Sequence, residues 1–176
     1  MAHLQHPDHL EPPDVIDALA GVAADSALAD LRRGQSEVTR AAQASFAALF
    51  EPDDLGTVSR IEREAIGLRV AALTPNQALV DWHRRRLTDL GTDQSLIDAA
   101  CQPTVPAGVL PVRLQAILDH TERLTRAPGQ AGPEHVQALA RAGLSPRDIV
   151  TVSQIIAFLS YQVRVLATLR ALGAEA

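Results

Sequence analysis

Two ionisable residues in the middle of the chain, Glu64 and His83, are the best placed to do chemistry. Each falls on the apolar stripe of a predicted helix, where a leucine is expected. Burial raises the pKa of a carboxyl group and lowers that of an imidazole, and an opposite charge nearby counteracts both shifts. A coupled pair of this kind is suited to move protons near neutral pH. From the pattern alone, a hydrogen-bonded core histidine is the commoner outcome, with Glu64 bonding a neighbouring helix end.

The helix that carries Glu64 is predicted to begin at Ser59, which forms a capping box with Glu62. Glu64 lies three residues after Ile61 and four before Leu68, so it falls inside the apolar stripe and we expect it to be at least partly buried. The stripe runs through Ile61, Ala65, Leu68 and Ala72.

The helix that carries His83 follows almost without a linker. Thr74 is predicted to cap it, with Pro75 in the first helical position and Gln77 completing a second capping box. Its apolar stripe consists of Leu79, Val80, His83, Leu87 and Leu90. Two helices joined by so short a turn pack as an antiparallel hairpin, so Glu64 and His83 are predicted to meet on its inner faces.

The rest of the sequence predicts helices and turns, and no strand alternation. The chain has 176 residues, of which 47% are hydrophobic and 3% aromatic, and the excess of Ala, Leu and Val favours an all-α fold. We expect a flexible segment over 1–12 and a single helical domain over 13–176. Within it, 13–33 predicts a helical pair or a kinked helix.

Three further helices have distinct features. Ser36 is predicted to cap a helix whose stripe is Val38, Ala42, Phe46 and Leu49. A short helix after Gly91 ends near Cys101. The last helix starts with Ser145 as cap, Pro146 in the first position and Asp148 in the box position. It is apolar on more than one face, so we expect it at the centre of the fold or in a subunit interface.

Composition excludes several classes of function. All 16 basic residues are Arg, which excludes lysine Schiff-base chemistry. The net charge of −5 carries no basic stripe, so nucleic acid is not expected as a partner. We find no signal peptide and no segment near the ~18 apolar residues of a membrane span, and predict a cytoplasmic protein without a membrane partner. The bias toward Ala, Arg and Pro is typical of bacterial proteins.

His3, His6 and His9 have a spacing that binds metal loosely, but a disordered terminus is the commoner case and no metal site or cofactor is predicted.

The stretch "SRIEREAIGLRVAALTPNQALVDWH" resembles the core motif of the carboxymuconolactone decarboxylase and alkylhydroperoxidase D-like superfamily, in which an R-E-R-E helix leads to a helix with Cys-x-x-Cys and then a histidine. The segment from "LTRAPGQ" to "LRALG" resembles the closing part of the same family. The resemblance covers about residues 36 to 173 and is nearest to its CMD domain, peroxidase-related branch. It implies a helical bundle with a central hairpin, a long C-terminal helix and a homotrimer or hexamer.

The resemblance places the family's proton-relay glutamate on Glu64 and its histidine on His83. The two family cysteines fall on Asn76 and Leu79, which supply neither a nucleophile nor a resolving thiol and are predicted, with Arg164, to be ligand-binding residues. A dithiol peroxidase cycle is therefore excluded. Cys101 is the only cysteine and is interpreted as a buried filler.

Arginine and aromatic residues outside this motif, and a second histidine, also have predicted roles. Relatives often carry Asn-Arg where this chain has Val163 and Arg164, and Arg164 is predicted to form a salt bridge or, as the alternative, to face an anionic ligand. The "RRR" run at 84–86 is predicted to be a solvated face or one side of an interface. His120 is expected to be exposed or in the core, and Trp82 to anchor an oligomer.

Three hypotheses remain open. In the first, Glu64 and His83 move a proton on a small anionic or carbonyl-containing substrate in an apolar pocket, as in the decarboxylase side of the superfamily. In the second, the protein is peroxidase-related and works with a thiol-bearing sibling subunit. In the third, it is a ligand-binding or structural oligomer without catalysis.

Overall fold

The computed structural model describes residues 14–105 and 107–174, and these form nine α-helices and no strand. The helices are α1 Val15–Ala20, α2 Ala27–Arg33, α3 Ser36–Phe50, α4 Arg60–Leu73, α5 Gln77–Asp89, α6 Gln94–Cys101, α7 Val112–Arg126, α8 Pro133–Arg141 and α9 Pro146–Ala174. The all-α prediction is confirmed, including the helical pair over 13–33. The predicted flexible segment 1–12, with His3, His6 and His9, lies outside the described residues.

Helix α4 is the central element of the fold. It packs against α5, α7, α9 and α6, and its residues from Arg63 to Ala71 are all buried. A helix surrounded in this way has no solvent face along its middle turns, so the narrow stripe predicted from the sequence describes only part of its contacts. The predicted hairpin of α4 and α5 is confirmed, and it places the inner face of α5 against the most buried helix of the fold.

Two predicted capping boxes are confirmed. The Ser59 hydroxyl accepts from the Glu62 amide at 3.2 Å, and the Glu62 carboxylate accepts from the Ser59 amide at 2.7 Å. Ser145 and Asp148 exchange the same pair of bonds at the start of α9. The starting points of α4 and α9 are therefore fixed by their caps, and α4 begins where the sequence predicts.

Two other predicted caps are wrong. Thr74 ends α4 instead of starting α5, because its hydroxyl donates to the Val70 carbonyl at 2.9 Å. The cap of α5 is Asn76, and the helix begins at Gln77. Ser36 is the first residue of α3, and Gln35 before it makes no side-chain capping bond.

The inner face of α3 is shifted from the prediction. Val38 is 52% exposed, whereas Ala42, Phe46 and Phe50 are buried. Phe46 and Phe50 stack with their ring centroids 5.0 Å apart, and this aromatic pair points toward the hairpin of α4 and α5. The end of α3 thus belongs to the surroundings of His83.

Helix α9 has buried and exposed apolar residues. Its buried residues pack on α4, α1, α7 and α3, which confirms a central position, while Val150, Tyr161 and Leu172 are exposed. By length and composition alone, it is the one helix in 14–105 and 107–174 that is long and apolar enough to cross a membrane, with 33% of the relevant window buried. The expectation that no segment approaches a span was wrong by this measure, although a core helix meets the same criterion. The predicted subunit interface stays a prediction.

Candidate active site

Glu64 and His83 meet inside the hairpin of α4 and α5. The Oε2 atom of Glu64 lies 2.7 Å from Nδ1 of His83, and the two side chains are 2% and 1% exposed. The sequence pattern predicted this juxtaposition, since both residues fall on the inner faces of adjacent helices. A contact this short between two buried groups is a strong hydrogen bond in which one partner carries charge.

Arg86 is the third member of the cluster. Its Nε donates to Oε1 of Glu64 at 2.7 Å, and a terminal nitrogen donates to Oε1 of Glu51 at 3.0 Å. The guanidinium also lies 5.7 Å from the ring centroids of both Phe46 and Trp82. The carboxylate of Glu64 therefore divides its two oxygens between an imidazole and a guanidinium.

The sequence interpretation missed Arg86, because it treated the "RRR" run as a solvated face. Arg85 fits that description and is exposed. Arg86, however, lies three residues after His83, and residues at that spacing share one side of a helix. The spacing was the available signal, and it separates one arginine of the run from its neighbour.

The charges around Glu64 outweigh the cost of its burial. Burial alone raises the pKa of Glu64, but the hydrogen bond and charge of His83, followed by those of Arg86, lower it by more, and the pKa lies below its ordinary value. Burial also lowers the pKa of Arg86, while Glu64 and Glu51 raise it above its ordinary value. Glu64 is thus held as a carboxylate, which accepts hydrogen bonds from both partners.

Gly67 makes room for the imidazole. A Cβ atom built on Gly67 would lie 2.2 Å from Cε1 of His83 and 2.5 Å from Nε2. A glycine inside a helix costs about 1 kcal/mol relative to alanine, so this position is unfavourable for α4 taken alone. The close approach of the ring to the helix backbone explains why the sequence has glycine there.

The second ring nitrogen of His83 has no partner among residues 14–105 and 107–174. Nε2 is buried and makes no hydrogen bond within the part of the chain that the structure describes. The Phe50 ring packs at 5.5 Å between centroids, tilted by 36°. Because Glu64 is a carboxylate and accepts from Nδ1, the neutral imidazole carries its proton on Nδ1 and a lone pair on Nε2.

A cleft of about 390 Å³ borders the cluster, lined by Phe50, Glu51, Arg60, Glu64, Arg86, Asp89 and Leu90. Most of these side chains are charged, so the cleft beside Glu64 is not the apolar pocket expected from the sequence. Phe50 both lines the cleft and packs on the imidazole, so it separates His83 from the cleft. A ligand in the cleft meets Glu64 and Arg86 directly, and His83 only past the Phe50 ring.

Two residues next to Glu64 hold the surrounding chain in place. Glu62 caps α4 and accepts from Nε of Arg113 at 2.7 Å. Arg63 is buried and donates to the carbonyl oxygens of Val58 at 3.0 Å and Leu55 at 2.8 Å. Arg63 also donates to the Leu49 carbonyl, so it fixes the end of α3 that carries Phe50 and Glu51.

The two positions that correspond to the family's cysteines have structural roles here. Asn76 is buried, and its Oδ1 accepts from the Leu79 amide at 3.2 Å. Leu79 is fully buried in the main core. Neither lines the cleft beside Glu64. Asn76 instead borders a second opening, of about 480 Å³, together with Arg84 and Cys101.

Cys101 lies at the end of α6, as predicted, and is half-buried. A terminal nitrogen of Arg84 lies 3.2 Å from its Sγ. Burial raises the pKa of the Cys101 thiol, and the charge and hydrogen bond of Arg84 offset only part of that effect. The thiol is therefore poorly ionised at neutral pH, but it is only half-buried and not the buried filler that the sequence predicted.

The remaining candidates lie apart from the cluster. Arg164 is exposed and donates to the Ser160 carbonyl at 2.6 Å, and no carboxylate of 14–105 or 107–174 pairs with it, so the predicted salt bridge stays a prediction. The helix exposes this side chain, and its own backbone satisfies one donor. His120 is in the core. Trp82 is half-buried against the main core and under Arg86, so part of its surface is already covered within the chain.

Two solved structures share this fold. An uncharacterized peroxidase-related protein from Silicibacter sp. TM1040 is 22% identical, with a TM-score of 0.68 over 76% of this chain and 68% of that one. An alkylhydroperoxidase AhpD core, an uncharacterized peroxidase-related protein from Ralstonia eutropha JMP134, is 23% identical, with a TM-score of 0.69 over 77% and 70%. No family model and no curated protein matches the chain. At these identities the likeness establishes an alkylhydroperoxidase D-like fold, and no activity.

Proposed function

We propose that this chain is a member of the alkylhydroperoxidase D-like superfamily, of the CMD branch without the Cys-x-x-Cys, that transfers protons on a small molecule. The observation that carries the proposal is the buried contact of 2.7 Å between Glu64 and His83, with Nε2 of His83 left without a partner among the residues that the structure describes. A carboxylate that orients an imidazole and leaves its second nitrogen without a partner is the usual arrangement of a histidine general base, and here a substrate in the cleft reaches that nitrogen only if the Phe50 ring moves aside.

The proposed step uses only this pair. Nε2 accepts a proton from an acidic C–H or O–H group of the substrate, and Glu64 stabilises the imidazolium through Nδ1. Nε2 then returns a proton, either the one it took or one exchanged with solvent, to the same or another atom of the substrate, so the enzyme is restored without oxidant or reductant. The suitable substrates are small carbonyl compounds and carboxylates whose carbon acid is activated by the carbonyl group.

Deuterium exchange into small carbon acids tests the proposal. The protein is incubated in D₂O with a 2-oxo acid, a 3-oxo acid and an unsaturated lactone carboxylate, and NMR records deuterium incorporation and loss of starting material. We expect exchange or decarboxylation of at least one probe above the buffer rate, abolished in His83→Ala and strongly reduced in Glu64→Gln. Equal rates in the wild type and His83→Ala would overturn the proposal.

A second candidate function is supported by the descriptions of the two solved structures, both peroxidase-related. In this case a partner protein supplies the thiols, because Cys101 is the only cysteine of the chain. The test is hydroperoxide consumption with a dithiol donor, comparing the wild type with Cys101→Ser and His83→Ala. Turnover that needs a thiol-bearing partner protein and survives Cys101→Ser favours this alternative, whereas turnover by the purified protein that depends on Cys101 would show that the lone thiol itself reacts. Absence of turnover in every form, with or without the dithiol, argues against intrinsic peroxidase activity.

A further inference from the structure

We infer that Arg86 is a positioning residue that fixes Glu64 as a two-oxygen acceptor and thereby makes Nε2 of His83, and not the carboxylate, the atom that exchanges protons. The inference rests on the proposed proton-transfer function and adds to it the residue that orients the pair. It assigns a role to one arginine of a run of three.

The geometry around the carboxylate carries the inference. Oε2 of Glu64 bonds Nδ1 of His83 and Oε1 bonds Nε of Arg86, each at 2.7 Å. Each oxygen of Glu64 therefore accepts a hydrogen bond from a protein N–H group. A proton placed on either oxygen would face an N–H group, so the protonated carboxyl is disfavoured as long as Arg86 remains in place.

Arg86 is itself held from three sides. Glu51 accepts from its terminal nitrogen at 3.0 Å, and the rings of Phe46 and Trp82 each lie 5.7 Å from the guanidinium carbon. Its Nε is therefore presented to Glu64 in one orientation. Lysine at this position would keep the charge but lose the planar fork that reaches two carboxylates at once.

The consequence falls on the histidine. With Glu64 unable to take a proton, Nδ1–H of the neutral imidazole stays directed at Oε2, and the lone pair stays on Nε2. If Arg86 is removed, Oε1 loses its charged donor, so the carboxyl group can take up a proton on Oε2 and donate it to Nδ1. The imidazole then carries its proton on Nε2, which is the wrong tautomer for a base.

NMR of His83 tests this directly, with uniformly ¹⁵N-labelled full-length protein. We expect the wild type to show a protonated Nδ1 and an unprotonated Nε2 for the neutral ring. Arg86→Gln should shift the ratio of the two tautomers toward Nε2–H by about tenfold, as expected for the loss of one charge-assisted hydrogen bond. The carboxyl carbon of Glu64, followed in the same variant after ¹³C labelling, should titrate at higher pH.

Matched variants separate positioning from general effects on charge. Arg85→Gln removes the same charge from the next residue, which is exposed, and should leave the tautomer ratio and the Glu64 titration unchanged. Glu51→Gln loosens Arg86 without touching Glu64 and should shift the ratio in the same direction by a smaller factor. Arg86→Lys should restore the Glu64 titration in part and the tautomer ratio less.

The outcomes distinguish this inference from the proposed function. An unchanged tautomer ratio in Arg86→Gln and Glu51→Gln overturns the inference, even if exchange into the probes depends on His83. If Arg86→Gln does not fold, Glu51→Gln and Arg86→Lys decide by the same criterion. Conversely, a shifted tautomer with no His83-dependent exchange of any probe supports the positioning role and contradicts the proposed function.

Discussion

Two buried histidines of this fold have opposite surroundings. His83 in α5 is 1% exposed and bonds a carboxylate that Arg86 holds in place. His120 in α7 is 6% exposed, and neither of its ring nitrogens has a partner among the described residues. Burial lowers the pKa of His120, and the nearby His135 and Arg123 lower it further.

The difference shows what makes a buried histidine suited to proton transfer. Burial is common to both residues, so it does not distinguish them. His83 has an anionic acceptor that stabilises an imidazolium, whereas the charge of Arg123 near His120 opposes one. His120 is therefore a neutral core side chain, and the carboxylate of Glu64 is the feature on which any chemistry at His83 depends.

The largest effect is expected for Glu64→Leu, which removes the carboxylate that distinguishes the surroundings of His83 from those of His120. Removing the buried carboxylate leaves Nδ1 of His83 and Nε of Arg86 without their acceptor, and breaking a buried ion pair in this way costs about 3–5 kcal/mol. We expect a loss of that order in the free energy of unfolding, measured by urea denaturation. Glu51→Leu is the matched control, because it removes the exposed partner of the same arginine and should cost less than ~1 kcal/mol. Equal losses in the two variants would contradict the assigned importance of Glu64.

Gly67→Ala tests the space that His83 occupies. The added methyl group would meet the imidazole at 2.2 Å, so the ring must move away from Glu64 or α4 must shift. Overpacking of this kind costs about 1–3 kcal/mol, even though alanine favours helices. The measurement is the melting temperature together with the His83 ring resonances. Gly129→Ala, where the added atom has nothing within 4 Å, should change neither. A stabilised Gly67→Ala would show that the ring is not confined by α4.

His120→Leu is expected to stabilise the fold, whereas Glu64→Leu and Gly67→Ala destabilise it. A buried imidazole with two unpartnered nitrogens is costly, so an apolar side chain of similar size should stabilise the fold by about 1 kcal/mol. His83→Leu should destabilise it, since Glu64 loses a donor that it keeps in the wild type. The two variants are compared by denaturant unfolding at pH 7.5. If His120→Leu were destabilising by as much as His83→Leu, His120 would have a polar partner that the described contacts do not contain.

The sequence predicted the pair but not its surroundings, and the reason is physical. Glu64 and His83 are detectable because a polar residue on an apolar stripe is a local anomaly of the pattern. Arg86 is not an anomaly, since an arginine near a helix surface is ordinary and its long side chain reaches the site from the flank. The role of Phe50 depends on how α3 packs against the hairpin, and that contact joins segments that no local pattern relates.

The start of α5 shows a similar limit. Thr74 and Asn76 both belong to the residue types that cap helices, and they flank Pro75, so the sequence offers two starting points. Proline disfavours helical geometry in the residue before it, and Thr74 is extended with φ −126° and ψ 145°. The hydroxyl of Thr74 then bonds backward to α4. Thr74 bonds to α4 because the last carbonyl groups of that helix need donors. This need exists only when both helices have formed, so the sequence around Pro75 alone could not show it.

The smallest expected effect is on the pH dependence of stability, and it distinguishes the two histidines by sign. Because the pKa of His120 is lowered from the ordinary 6.5, the unfolded chain binds a proton at this residue before the folded protein does. This part of the stability is present above pH ~6.5 and is lost as the pH falls toward the folded-state pKa. In His120→Leu the loss of stability on acidification should be smaller, so the difference in the free energy of unfolding between the variant and the wild type grows between pH 7.5 and 5.5. It is measured from urea midpoints at half-unit pH intervals.

Glu64 also contributes stability that is lost as the pH falls, because its pKa is lowered, but this loss begins only below its ordinary pKa of 4.5. The two contributions therefore separate along the pH axis, and a variant advantage that stayed constant from pH 7.5 to 5.5 would show that His120 titrates alike in the folded and unfolded chains.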